Sequence, residues 1–170
     1  MGIAISLQNY LLDNGIEFDS IEHRPTSSSS ETAIASFVPG NKLAKGVVVK
    51  NREAYLVTVL PSTRKADLNK IGDFLHQPVA LALEEEIIPL FPDCEQGAIP
   101  PIGDAYGMLT IVDEDLDDED DVYFEAGDHC TLVHLSAGEF RKLTQKSAHV
   151  RICTEQPAGK DDMSFGYFGA

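Results

Sequence analysis

The sequence has only three cysteines and no C-x-x-C pair, no apolar run near the roughly 20 residues that cross a bilayer, and 13 basic residues against 28 acidic ones. Each shortage excludes something. Cys94, Cys130 and Cys153 are odd in number and far apart, so they offer neither a disulfide framework nor a cysteine zinc site, and a reducing cytoplasm is the expected compartment. Without a long apolar run there is no membrane span. Ile3, Leu7, Tyr10 and Leu11 sit at helical spacing, where a secretion signal would carry a basic region and a continuous apolar core. No H-x-x-H pair occurs. The acidic run from Asp113 to Asp121 lacks the central glycine and distal glutamate of an EF-hand loop, so it reads as a solvated loop and no metal or other cofactor is expected.

The shortage of Lys and Arg leaves a net charge of -15, which opposes broad contact with a polyanion. The distribution qualifies this. Lys42, Lys45, Lys50, Arg52, Arg64, Lys65 and Lys70 face only Glu53 and Asp67 within their own stretch, so this segment carries about +5 and a bipolar molecule is expected.

At 170 residues, 43% of them apolar, the chain has the length and composition of one soluble domain. Residues 3 to 14 form an amphipathic helical stripe that Gly15 ends, and Ile16 to His23 alternates like a short strand. Ser28 and Glu31 make a capping box for a second helix, which stops near Pro39 and Gly40. Leu43 to Lys50 and Ala54 to Leu60 flank a turn as a hairpin. Helical spacing returns over 66 to 76 and over Glu84 to Ile88. Strands are expected at Tyr106 to Val112, Val122 to Glu125, Thr131 to Leu135 and Val150 to Cys153, with a helix capped by Ser136 and Glu139 running to Leu143. The domain therefore spans residues 1–153, and 154–170, which has no periodicity, reads as a flexible or partner-dependent tail. Helices and mostly hairpin-linked strands without βαβ alternation give an α+β fold.

Three segments carry candidate chemistry. Lys45 lies beside Gly46 in an otherwise apolar strand, where its ammonium must snorkel, pair or face a ligand. Gly97-Ala98-Ile99-Pro100-Pro101 is a stiffened loop whose backbone could cradle an anion. Phe124 to His129 ends a strand on the Gly127-Asp128 turn and presents His129 at its rim. Four consecutive serines, Ser27 to Ser30, lack a nucleophile elbow and serve as loop and cap.

Ala44-Lys45-Gly46-Val47-Val48-Val49, Gly97 to Pro101 and Ala126-Gly127-Asp128-His129, taken in this order with the opening helix and His23, resemble the YbaK-like aminoacyl-tRNA deacylases, relatives of the editing domain inserted into bacterial prolyl-tRNA synthetases. The likeness runs from the first helix to about Cys153. It implies a mixed, largely antiparallel sheet curled into a barrel-like core with helices around it, and hydrolysis of the ester between a wrong amino acid and the 3′ end of a tRNA. Its partners would be the charged tRNA and, as a further candidate, an aminoacyl-tRNA synthetase. Lys45, Gly97, Pro101 and His129 then become the candidate catalytic residues, with Gly46, Ala98, Ile99, Pro100, Gly127 and Asp128 lining the substrate. Lys50, Arg52, Arg64 and Lys65 are candidates for tRNA phosphates. Gly46 stands where other members often carry threonine or asparagine, which bears on amino-acid selectivity. The rival reading is a non-catalytic sensor that keeps the fold. A metal-dependent hydrolase has no ligand pattern to support it.

Overall fold

The computed structural model describes residues 2–157. The amphipathic stripe forms α1 (Ile5–Asp13), whose Leu7 and Leu11 are buried. β1 (Asp19–Glu22) and α2 (Ser29–Ser36) follow. Ser28 accepts the Glu31 amide as the helix cap, but the Glu31 carboxylate reaches back to the Ser27 amide and hydroxyl, one residue further than a capping box requires. β2 (Leu43–Lys50) and β3 (Tyr55–Pro61) form the expected hairpin, in register from Ala44 opposite Pro61 to Lys50 opposite Tyr55. Then come β4 (Arg64–Ala66), α3 (Leu68–Leu75), β5 (Ala80–Leu81), α4 (Glu84–Ile87), β6 (Leu109–Asp113), β7 (Asp121–Glu125), β8 (Thr131–Ser136), α5 (Ala137–Leu143), β9 (Ala148–Val150) and β10 (Cys153–Pro157).

The main sheet runs β1-β8-β7-β2-β3-β6-β9, with β5 added to the edge of β2. β2 with β7, β3 with β6 and β6 with β9 are parallel, and the other pairs are antiparallel. The sheet is mixed, as expected. It does not close into a barrel among the described residues, because β1 and β9 remain the ends of an open order. One core gathers α1, α5 and one face of the sheet around Phe91, Phe124 and Phe140, and smaller clusters fill the other face beneath α2 and α3.

Two further expectations change. The last strand of the main sheet is at 148–150, not 150–153, and β10 pairs with β4 through Cys153 opposite Ala66 and Pro157 opposite Arg64. β10 thus takes in residues 154–157 of the expected tail, with an irregular register between Cys153 and Pro157; the remainder lies outside the described residues. The acidic run is not a solvated loop. Leu116, 1% exposed, is buried in the main core and pins a 3-10 turn over Glu114–Asp118, whose Asp115 amide Asp113 caps. Around it Asp117 meets His149 at 2.8 Å, Asp115 meets Arg64 at 3.7 Å and Glu119 accepts from Asn41.

Candidate active site at a split sheet edge

β2 changes partners along one edge. Leu43 and Ala44 pair with Tyr123 and Phe124 of β7, while Val49 and Lys50 pair with Leu81 and Ala80 of β5. Residues 45–47 lie in the gap, where β7 has ended at Glu125 and the chain turns away through Ala126 to Cys130. A parallel strand pair that splays at its carboxyl end leaves backbone and side chains accessible from the crevice, the place where open sheets bind ligands.

Alternation along β2 decides what each face of that gap carries. Ala44 and Val48 enter the main core, and Gly46 lies between them, where an added Cβ would stand 3.0 Å from the Pro101 Cα. Gly46 thus lets the 97–101 loop seat directly on the strand. Lys45 points to the opposite face with Leu43 and is only 3% exposed. One residue beyond the last rung paired with β7, on this same face, come Lys45 on one strand and Glu125, 4% exposed, on the other.

The loop itself turns inward. Ala98 and Ile99 are buried, Pro100 and Pro101 with them, and the Ala98 amide is taken by the Glu95 carbonyl, so that amide is not open to an anion. Gly97, half-buried at φ +83°, marks the rim. Next to it the Gln96 carbonyl contacts His129 Nε2 at 2.5 Å. Gly127, at φ +116°, has Ala4 and Cys94 where a side chain would be, and its carbonyl accepts the Glu95 amide at 2.8 Å. The Gly127 turn and the 95–97 segment are therefore one packed unit. Asp128 locks the turn, accepting from the Cys130 and Thr131 amides and from Thr131 Oγ1.

Above this unit Pro25, Thr26, Ser27, Glu31, Glu95, Asp128, His129 and Cys130 line an open groove of about 580 Å³. Behind its Thr26 wall lies a buried polar chain that the sequence did not flag as a site. Thr26 Oγ1 meets Thr32 Oγ1 at 2.6 Å, Thr32 Oγ1 donates to Glu125 Oε1 at 2.9 Å, and His23 Nε2 stands 3.6 Å from the same oxygen. His23 Nδ1 donates to the Arg24 carbonyl, which leaves Nε2 facing the carboxylate. The Glu125 carboxylate raises the His23 pKa above its ordinary value, and this effect outweighs the opposing desolvation. Among the described residues Glu125 Oε2 and Ser29 Oγ are buried without a hydrogen-bond partner.

The four phosphate candidates do not gather here. Lys50 and Arg52 lie at one end of the β2–β3 hairpin, and Arg64 and Lys65 beyond its other end. Lys50 pairs with Glu86 at 2.7 Å, and Arg64 donates to the Thr154 and Glu155 carbonyls of β10.

The described residues form an α+β fold whose mixed sheet splits along one edge of β2, with an open groove beside the 126–130 turn. The chain belongs to the aminoacyl-tRNA editing domain family, whose profile matches residues 23–143. None of the curated proteins matches it. Among solved structures it is similar to a hypothetical protein at TM-score 0.78 and 20% identity, covering 88% of this chain and 99% of that one. A candidate trans-editing enzyme for prolyl-tRNA synthetase gives TM-score 0.77 and 23% identity over 89% of this chain and 96% of that one. The fold also recurs, at TM-score 0.72 and 18% identity over 89% of this chain, in a candidate signal transduction protein from Marinobacter aquaeolei VT8, of which it covers 31%. No helix among the described residues is long and apolar enough to cross a membrane.

Proposed function

We propose that the protein hydrolyses the ester of a mischarged aminoacyl-tRNA in trans, with water as the nucleophile. An aminoacyl ester is already activated, so the work is to hold the 3′ end, place water and stabilise the oxyanion. The observation that carries this reading is the gap at residues 45–47 of β2, where β7 has ended and the buried Lys45 and Glu125 lie one residue beyond the last paired rung. In this account Lys45, too buried to reach along an acceptor stem, orients the terminal adenosine or its phosphate. Gly97 to Pro101 form the wall on which the ester and its water rest, and His129 borders the amino-acid side. The family membership and the likeness to a candidate trans-editing enzyme support the same reaction. Lys45→Ala should lower the rate of ester loss from mischarged tRNA by about a hundredfold or more, the scale of removing a positioned electrostatic group. Unchanged turnover would remove Lys45 from the site.

A second reading, a non-catalytic module that binds an aminoacyl-adenosine-like ligand, is favoured by one observation. Two of the four cations offered for tRNA phosphates are engaged with the protein's own acids, Lys50 with Glu86 and Arg64 with Asp115, and their neighbours Lys42 and Lys70 pair with Asp121 and Glu155. Binding of aminoacyl-adenosine without ester loss from any mischarged tRNA would decide for it.

A further inference from the structure

The proton bookkeeping of the buried chain fixes how Thr26 meets the groove. Thr32 Oγ1 has one proton, and it lies 2.9 Å from both the Ser28 carbonyl and Glu125 Oε1, two groups that only accept. That proton is therefore committed. In the 2.6 Å contact between the two threonines, Thr26 must then be the donor. Its own proton is consumed inside the protein, and the side of the hydroxyl that remains has lone pairs only. Thr26, 7% exposed, lines the groove, so the polar group it can offer a ligand there is an acceptor.

Carboxylates predominate around that acceptor. Glu31, Glu95 and Asp128 share the groove lining. Hydrogen bonds from the Ser27 amide and hydroxyl hold the Glu31 carboxyl below the usual carboxylate range, so it stays ionised. Asp128 spends its oxygens on the turn. Arg24 nearby is exposed, and His129 has its Nε2 turned onto the Gln96 carbonyl. A groove with three carboxylates and an obligate acceptor suits a cationic donor and disfavours a phosphate.

We infer that Thr26 is a specificity-determining residue that accepts a hydrogen bond from the α-ammonium group of the bound aminoacyl ester, so that the groove selects esters of free amino acids over uncharged acyl groups. This deepens the editing reading and rests on it. The relay through Thr32 to Glu125 explains why a threonine suffices: the buried carboxylate pulls on the Thr32 proton, and a polarised Thr32 pulls on that of Thr26.

The test uses two non-hydrolysable probes of equal shape, 3′-deoxy-3′-(L-alanylamino)adenosine and its L-lactyl counterpart, in which a hydroxyl replaces the ammonium. Calorimetric titration of the intact protein should find the alanyl probe binding about tenfold or more tightly, the scale of a hydrogen bond to a charged group. Thr26→Val should narrow that ratio and Thr26→Ser should restore it, with circular dichroism confirming that both variants fold. Equal affinity of the wild type for the two probes, or a ratio that Thr26→Val leaves untouched, would overturn the assignment while leaving the editing reading standing. If neither probe binds, the editing reading itself fails and the assignment goes with it.

Discussion

At the residue scale the site is a set of side chains whose burial contradicts their chemistry. Lys45 was conspicuous in the sequence because it interrupts an apolar strand, and the structure buries it. Glu125 follows Val122, Tyr123 and Phe124 in the same way, and that signal was equally available. His23, Thr26 and Thr32 gave no such warning, since nothing in a loop and a short helix announces that they converge on a glutamate about a hundred residues later. Because the folded-state pKa of His23 is raised, its pairing with Glu125 contributes stability that is complete below the unfolded value near 6.5 and is lost as the pH rises through the higher folded value. The difference in melting temperature between wild type and Glu125→Gln should therefore be larger at pH 5.5 than at pH 8.5. A gap independent of pH across that range would mean that His23 does not titrate against Glu125.

At the scale of elements, β2 organises the molecule. It exchanges β7 for β5 on one edge, seats the 97–101 loop on one face through Gly46 and turns Lys45 to the other. Filling Gly46 tests this seating: Gly46→Val drives a side chain into the Pro101 backbone and should cost about 1–3 kcal/mol in urea unfolding, as overpacking does. A neutral result would mean that the loop is not held by that contact. The bounds of β2 and the two serine-capped helices were legible because apolar periodicity and caps are local signals. β10 was not, because its pairing with β4 joins residues nearly ninety apart and neither segment alternates. The acidic run misled for a related reason: its composition is that of a solvated loop, and a single leucine decides otherwise. Leu116→Ala should destabilise the protein by about 2–5 kcal/mol, which denaturant unfolding would register, whereas a solvated loop would lose almost nothing.

At the scale of the whole molecule, the expected bipolar charge is largely cancelled. Basic residues of the 42–70 stretch pair with acids from α4, the 114–118 turn, β7 and β10, so little positive surface is left to follow an acceptor stem. A protein of net charge -15 that reads only the last nucleotide of its substrate should show a shallow salt dependence, with a slope of about two or less in log K against log salt. A slope near six would require a phosphate-binding face that these ion pairs do not leave. The acidic groove fits this picture, since in the proposed reading it would receive the one cationic part of an aminoacyl-tRNA and leave the phosphates outside. The most direct measurement is a deacylation panel in which purified protein meets tRNAs charged with alanine, cysteine, serine and proline, with wild type and Lys45→Ala run side by side. The account predicts rapid ester loss from at least one mischarged tRNA, abolished by the substitution. Esters that survive the wild-type protein at the rate of spontaneous hydrolysis, across the whole panel, would contradict it.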